Sequence, residues 1–114
     1  MIEQAPPRSR YETMWLVTMF DLPVKTTAEK RDYTRFRNFL LEEGFSRLQY
    51  SVYARFCTGE EVANRCRKAV KRELPPEGHV RVLTFTDAQF GKMQVFTGQK
   101  RVENEQAPKQ VLLF

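Results

Sequence analysis

Seven consecutive residues without an ionisable side chain, Met14-Trp15-Leu16-Val17-Thr18-Met19-Phe20, lead directly into Asp21-Leu22-Pro23. A short and nearly all-apolar run of this kind suits a central β-strand covered on at least one face, and the remaining elements must be arranged to cover it. Asp21 then stands on the rim of a sheet. A carboxylate fixed at a strand end can hold a hard cation or orient a water while staying open to ligand. Aspartate is also common ahead of proline turns because its side chain caps nearby backbone N–H groups, so residue type alone leaves both roles open.

After the turn the periodicity changes to that of a helix, with Thr27 as N-cap, Lys30 at the capping-box position and Glu29 one residue earlier. Tyr33, Phe36, Phe39, Leu40 and Leu41 keep the stripe and Gly44 supplies a stop. Arg31, Arg35 and Asn38 share the other side, flanked by Lys30 and Arg37. Phe45 to Phe56 reads as extended, with Leu48, Tyr50, Val52, Ala54 and Phe56 on one side and a polar row of Arg47, Gln49, Ser51, Tyr53 and Arg55 on the other. One long strand and two strands broken near Gln49 to Ser51 fit this alternation equally.

A second helix is expected from about Glu60 to Leu74, with Thr58 as cap and Val62, Cys66, Ala69, Val70 and Leu74 turned inward. Arg65, Lys68 and Arg72 line its outer side. Pro75-Pro76-Glu77-Gly78 is a turn, Val80 to Thr86 a strand and Met93 to Phe96 a short strand candidate. The apolar segment Val111 to Phe114 is expected to cover a sheet edge of this chain or of a partner subunit. This order predicts an α+β fold, a βαββαβ sandwich in which the first and third strands are central neighbours. Residues 14–114 form that domain, and residues 1–13 a flexible arm.

A length of 114 residues suffices for one domain with its own core. No apolar run approaches the roughly 18 residues a membrane span needs. Met1 to Arg10 carries an acid and prolines rather than the apolar centre of a secretory signal, so a cytoplasmic location is expected. Cys57 and Cys66 form no CxxC, and His79 is the one histidine, which argues against structural zinc and for two free thiols. A net charge of +5 and a pI near 9.5 are compatible with a polyanionic partner without specifying one.

The strand ending Met19-Phe20-Asp21-Leu22-Pro23, the helix from Tyr33 to Gly44, the segment Arg47 to Tyr53 and the run Leu83 to Phe90 together resemble the CRISPR-associated protein 2 family, in its type II-like branch. The resemblance covers roughly Trp15 to Phe114. It implies a ferredoxin-like homodimer in which an additional C-terminal strand is exchanged between subunits, with the two copies of Asp21 facing each other across the two-fold. It further implies Mg²⁺ at Asp21 and endonuclease activity on RNA or duplex DNA. Members of the family also serve in spacer acquisition, as the adaptor between two integrase dimers. The family's strand arginine, serine and aromatic fall on Arg47, Ser51 and Tyr53.

Two carboxylates near a two-fold repel unless a proton or a cation lies between them. No second carboxylate accompanies Asp21 in the sequence pattern and no general base is evident. The residues therefore favour an adaptor that binds duplex DNA through Lys30, Arg31, Arg35 or Arg37 over an efficient nuclease. The alternatives are a Mg²⁺-dependent endoribonuclease acting on single-stranded RNA and a ferredoxin-like nucleic-acid-binding regulatory module. Against RNA recognition by that fold, the sheet lacks an RNP-type aromatic strand on which bases could stack.

Overall fold

A computed structural model describes residues 13–108. Its elements run β1 (Met14–Asp21), α1 (Thr27–Glu42), β2 (Ser46–Gln49), β3 (Val52–Cys57), α2 (Glu60–Arg72), β4 (His79–Thr86), α3 (Asp87–Gly91), β5 (Val95–Thr97) and β6 (Lys100–Val102). The first four strands make an antiparallel sheet in the order β2-β3-β1-β4, and β5 pairs with β6 in a separate ribbon. With β1 and β3 adjacent at the centre and two long helices, this is the expected ferredoxin-like α+β fold. The expected arm, apart from Thr13, and the terminal segment Val111 to Phe114 lie outside the described residues.

Alternation along β1 sorts its side chains between two cores. Met14, Leu16 and Phe20 join Phe36 and Leu40 of α1, Cys66 and Val70 of α2, and Tyr53 and Cys57 of β3. Trp15 and Val17 point to the opposite face, where they meet Ala54, Phe90 and Ala107. Among the described residues that second face is covered only at one end. Trp15 stacks on Phe90 with centroids 4.0 Å apart, and its Nε1–H donates to the Asp87 carboxylate over 2.8 Å. Short helix α3, which the sequence pattern did not announce, owes its start to a capping box between Thr86 and Gln89.

Several local expectations change. The N-cap of α1 is Thr26, not Thr27, and Glu29 completes the capping box by accepting from the amides of Thr26 and Lys25 at 3.0 and 2.9 Å. Those two backbone donors hold the Glu29 carboxyl below its ordinary range. Helix α2 is capped by Gly59 and ends at Arg72, and Leu74, expected in the core, is 46% exposed. Met93 precedes β5, which runs to Thr97. Of the two readings left open for the extended stretch, the two-strand one holds: it is a hairpin turning at Tyr50-Ser51, with Ser51 at a φ of +62°.

That hairpin also changes the meaning of the polar row. A register shift between Arg47 and Gln49 and the turn beyond it break the continuous alternation. Over Val52 to Phe56 the two sides are as expected, but the side holding Tyr53 and Arg55 is the one covered by α1 and α2. Tyr53 is 2% exposed and Arg55 donates from Nη1 to the Cys66 sulfur at 2.8 Å. Arg55 thereby ties β3 to α2. Its side chain runs over Gly44, where an added Cβ would stand 2.8 Å from Arg55 Nε.

Candidate functional site: a strand-end carboxylate and two basic clusters

Asp21 ends β1 on the less covered face, because it continues the alternation of Trp15, Val17 and Met19. Its side chain is exposed and makes no hydrogen bond or ion pair with another described residue. The backbone around it is firmly held. Leu22 anchors the next position in the core, and β4 begins opposite, with His79 as the register partner of Asp21. Gly78, at φ +95°, lets the two segments approach: a Cβ there would sit 2.6 Å from the Asp21 carbonyl oxygen. Backbone cannot yield as a side-chain tip can, so this glycine is part of what fixes the carboxylate.

A rigidly mounted carboxylate with no partner among the described residues fits one ligand position of Mg²⁺, which takes one or two carboxylates and fills its octahedron with water and phosphate oxygens. Among the described residues no three His, Cys, Asp or Glu side chains gather to hold a metal within one chain.

The predicted basic residues divide into two groups. Arg31, Arg35 and Asn38 line an open groove of about 540 Å³ together with Thr34, Phe39, Glu42 and Glu73. Arg35 pairs with Asp32 at 3.3 Å, but its own side chain is largely exposed, and a pair of this type contributes at most about 1 kcal/mol. A phosphate can displace it. Lys30 is exposed nearby on the same helix.

Arg37 belongs elsewhere. It is half-buried on the side of α1 that faces the β2–β3 hairpin, where its charge and that of Arg47 both act on the Tyr53 hydroxyl. Burial pushes the Tyr53 phenol above its ordinary range, more than the two arginines lower it. Arg37 Nε is buried with no hydrogen-bond partner among the described residues, and an unpaired donor of this kind costs about 1–3 kcal/mol. Arg47, on the edge strand, is exposed and stands opposite Tyr53 in the ladder. Ser51 is half-buried, and its carbonyl accepts from the Phe20 amide at 3.1 Å, joining the hairpin turn to the strand end that carries Asp21.

Thus Arg37, Arg47, Ser51 and Tyr53 come together near the end of β1, whereas Arg31 and Arg35 occupy another part of the surface. Tyr53 is a core side chain there, with its ring 5.7 Å from Phe20 and closed off from solvent. Two tyrosines absent from the expected site, Tyr33 and Tyr50, complete the cluster. Their only sequence signal was membership of two different periodic patterns.

The fold and this rim of charge define a small ferredoxin-like protein with a strand-end acid and basic surfaces. Residues 14–93 match the family described as CRISPR associated protein Cas2, and the chain belongs to that family. It is similar to proteins named CRISPR-associated endoribonuclease Cas2. That of Parvibaculum lavamentivorans is 46% identical over 101 residues, covering 89% of this chain and 100% of the relative. That of Flavobacterium psychrophilum is 40% identical over 106 residues, 93% of this chain and 92% of the relative. That of Paracidovorax avenae is 44% identical over 104 residues, 91% and 96% respectively. No helix among the described residues is long and apolar enough to cross a membrane.

Proposed function

We propose that the chain works as a homodimer in CRISPR adaptation, binding duplex DNA by its phosphates as the adaptor between integrase dimers. The same dimer carries a Mg²⁺-dependent endonuclease site at its paired Asp21 side chains. The observation that carries this reading is the position of Asp21 on the sheet face that the described residues leave open. Beside it, that face holds a groove of about 500 Å³ lined by Val17, Met19, Val52, Leu83, Phe85 and Phe90 among others. An apolar groove of this size on a sheet is an interaction surface rather than ordinary exterior. Covering it with the same face of a second copy is a self-complementary solution, and it brings two strand-end carboxylates toward one axis.

In that arrangement Asp21 from each copy would bind the cation, which when present neutralises charge on a phosphate and lowers the pKa of a bound water. Lys30, Arg31 and Arg35 hold the nucleic-acid backbone, and β1, clamped at Gly78, keeps the acid at a fixed height. The names of the relatives support an endoribonuclease, and single-stranded RNA is the substrate to try first for cleavage. The sequence pattern sets no second carboxylate and no evident base beside Asp21, which favours the adaptor as the principal role.

Met19, 36% exposed beside the groove, gives the test. In sedimentation analysis at micromolar concentration, wild-type protein should be dimeric and Met19→Asp monomeric with unchanged circular dichroism. A Met19→Asp protein that remains fully dimeric would show that the open sheet face is not the dimer surface.

A further inference from the structure

Tyr50 is 68% exposed at the tip of the hairpin, yet its ring is not loose. It lies along Tyr33 of α1, with centroids 6.1 Å apart and planes inclined by 22°. The neighbouring Tyr33 phenol pushes the Tyr50 hydroxyl above its ordinary range. Tyr33 in turn meets Phe20 at 5.9 Å, and Phe20 sits between Phe36, edge-on at 5.2 Å, and Tyr53, stacked at 5.7 Å. A continuous column of rings therefore rises from the core and ends in solvent at Tyr50. A tyrosine needed only to close a hairpin would gain more by burying its ring.

The surroundings of the column end are cationic and close to the strand-end acid. Arg47 is exposed and near enough for its charge to act on the Tyr50 hydroxyl. The Phe20 amide to Ser51 carbonyl bond fixes the turn, with Tyr50 the residue before Ser51 and Asp21 the residue after Phe20. A ring held in place before its ligand arrives loses little conformational entropy on stacking.

We propose that Tyr50 is a stacking platform for one unpaired base of a single-stranded nucleic acid, with Arg47 beside it to meet the adjoining phosphate. This rests on the nucleic-acid-binding reading given above and adds to it a way of distinguishing unpaired strands. Every base has a π-face, so the platform tolerates sequence and accepts ribose or deoxyribose, whereas the interior of a duplex presents no free face. The platform lies off the sheet, which is why the lack of an RNP-type aromatic strand does not bear on it.

The test uses the full chain in EDTA, so that no strand is cut, and fluorescence anisotropy of labelled probes of about ten nucleotides, within the range one small domain contacts. The probes are RNA and DNA strands of one sequence, the same DNA strand with abasic sites, and its duplex. Wild-type protein should bind both base-containing strands at least about fivefold more tightly than the abasic strand. Tyr50→Leu should lose that factor on the base-containing strands and leave abasic and duplex binding unchanged, and Tyr50→Trp should retain it. Equal wild-type affinity for base-containing and abasic strands overturns the proposal, as does a Tyr50→Leu protein that weakens on all probes alike. Failure of the wild-type protein to bind any probe at low salt overturns the nucleic-acid-binding reading and the platform together.

Discussion

The two faces of the four-stranded sheet are built from the same strands and serve opposite ends. On the helix-covered face, Leu16, Phe36, Leu40 and Tyr53 are shut away from water, and even Arg55 is drawn inward to the sulfur of Cys66. Burial there pushes the Cys57 thiol above its ordinary range. On the other face, Trp15 and Phe90 close one end, and the rest is an apolar groove leading toward Asp21. The first face makes the chain fold. The second is left open among the described residues, as an interaction surface is.

Truncating one large side chain on each face breaks the comparison if the costs are alike. Phe36→Ala should destabilise the fold by about 3–5 kcal/mol, since it opens a cavity between α1 and the sheet. Met19→Ala should cost under about 1 kcal/mol relative to wild type in urea melts of both proteins at concentrations low enough to be monomeric, because the side chain is partly in water already. Similar losses for both would mean that the open face carries as much of the monomer's stability as the covered one.

A smaller effect sharpens the comparison by asking what the outside of α1 does. Replacing Arg31 and Arg35 together by Ala should weaken all DNA duplexes alike and flatten the slope of log affinity against log salt by up to about two units. Fold stability should change little, the Arg35–Asp32 pair being exposed. An unchanged salt slope would make the groove along Arg31 and Arg35 an ordinary solvated helix face.

The covered face was legible in the sequence because helical periodicity and burial follow the same rule. Tyr33 to Leu40 and Val62 to Val70 marked α1 and α2, and the uncharged run Met14 to Phe20 marked the central strand. The Asp21 rim was legible for the same reason, as the point where that run stops. What alternation could not decide was whether this stretch is one strand or a hairpin. Tyr50-Ser51 contains no Gly, Pro, Asn or Asp, and Ser51 takes its left-handed φ because the Phe20 amide and the Tyr33 ring hold the turn from outside. Alternation therefore ran unbroken through a reversal, and Tyr53 was placed with polar neighbours when it lies in the core. That Arg37 and Arg47 both come near Tyr53 is a tertiary event between a helix and an edge strand, which no local pattern records. Helix α3 escaped because five residues are too few to establish a period.

The most direct test of the account is Asp21→Asn, which keeps side-chain size and turn geometry and removes the charge that would bind the cation. Cleavage of single-stranded RNA in Mg²⁺ and binding of duplex DNA should be measured on the same folded, dimeric preparation. The account predicts that any Mg²⁺-dependent cleavage shown by the wild-type protein falls by orders of magnitude while duplex affinity stays within about twofold. Undiminished cleavage by the Asp21→Asn protein would contradict it.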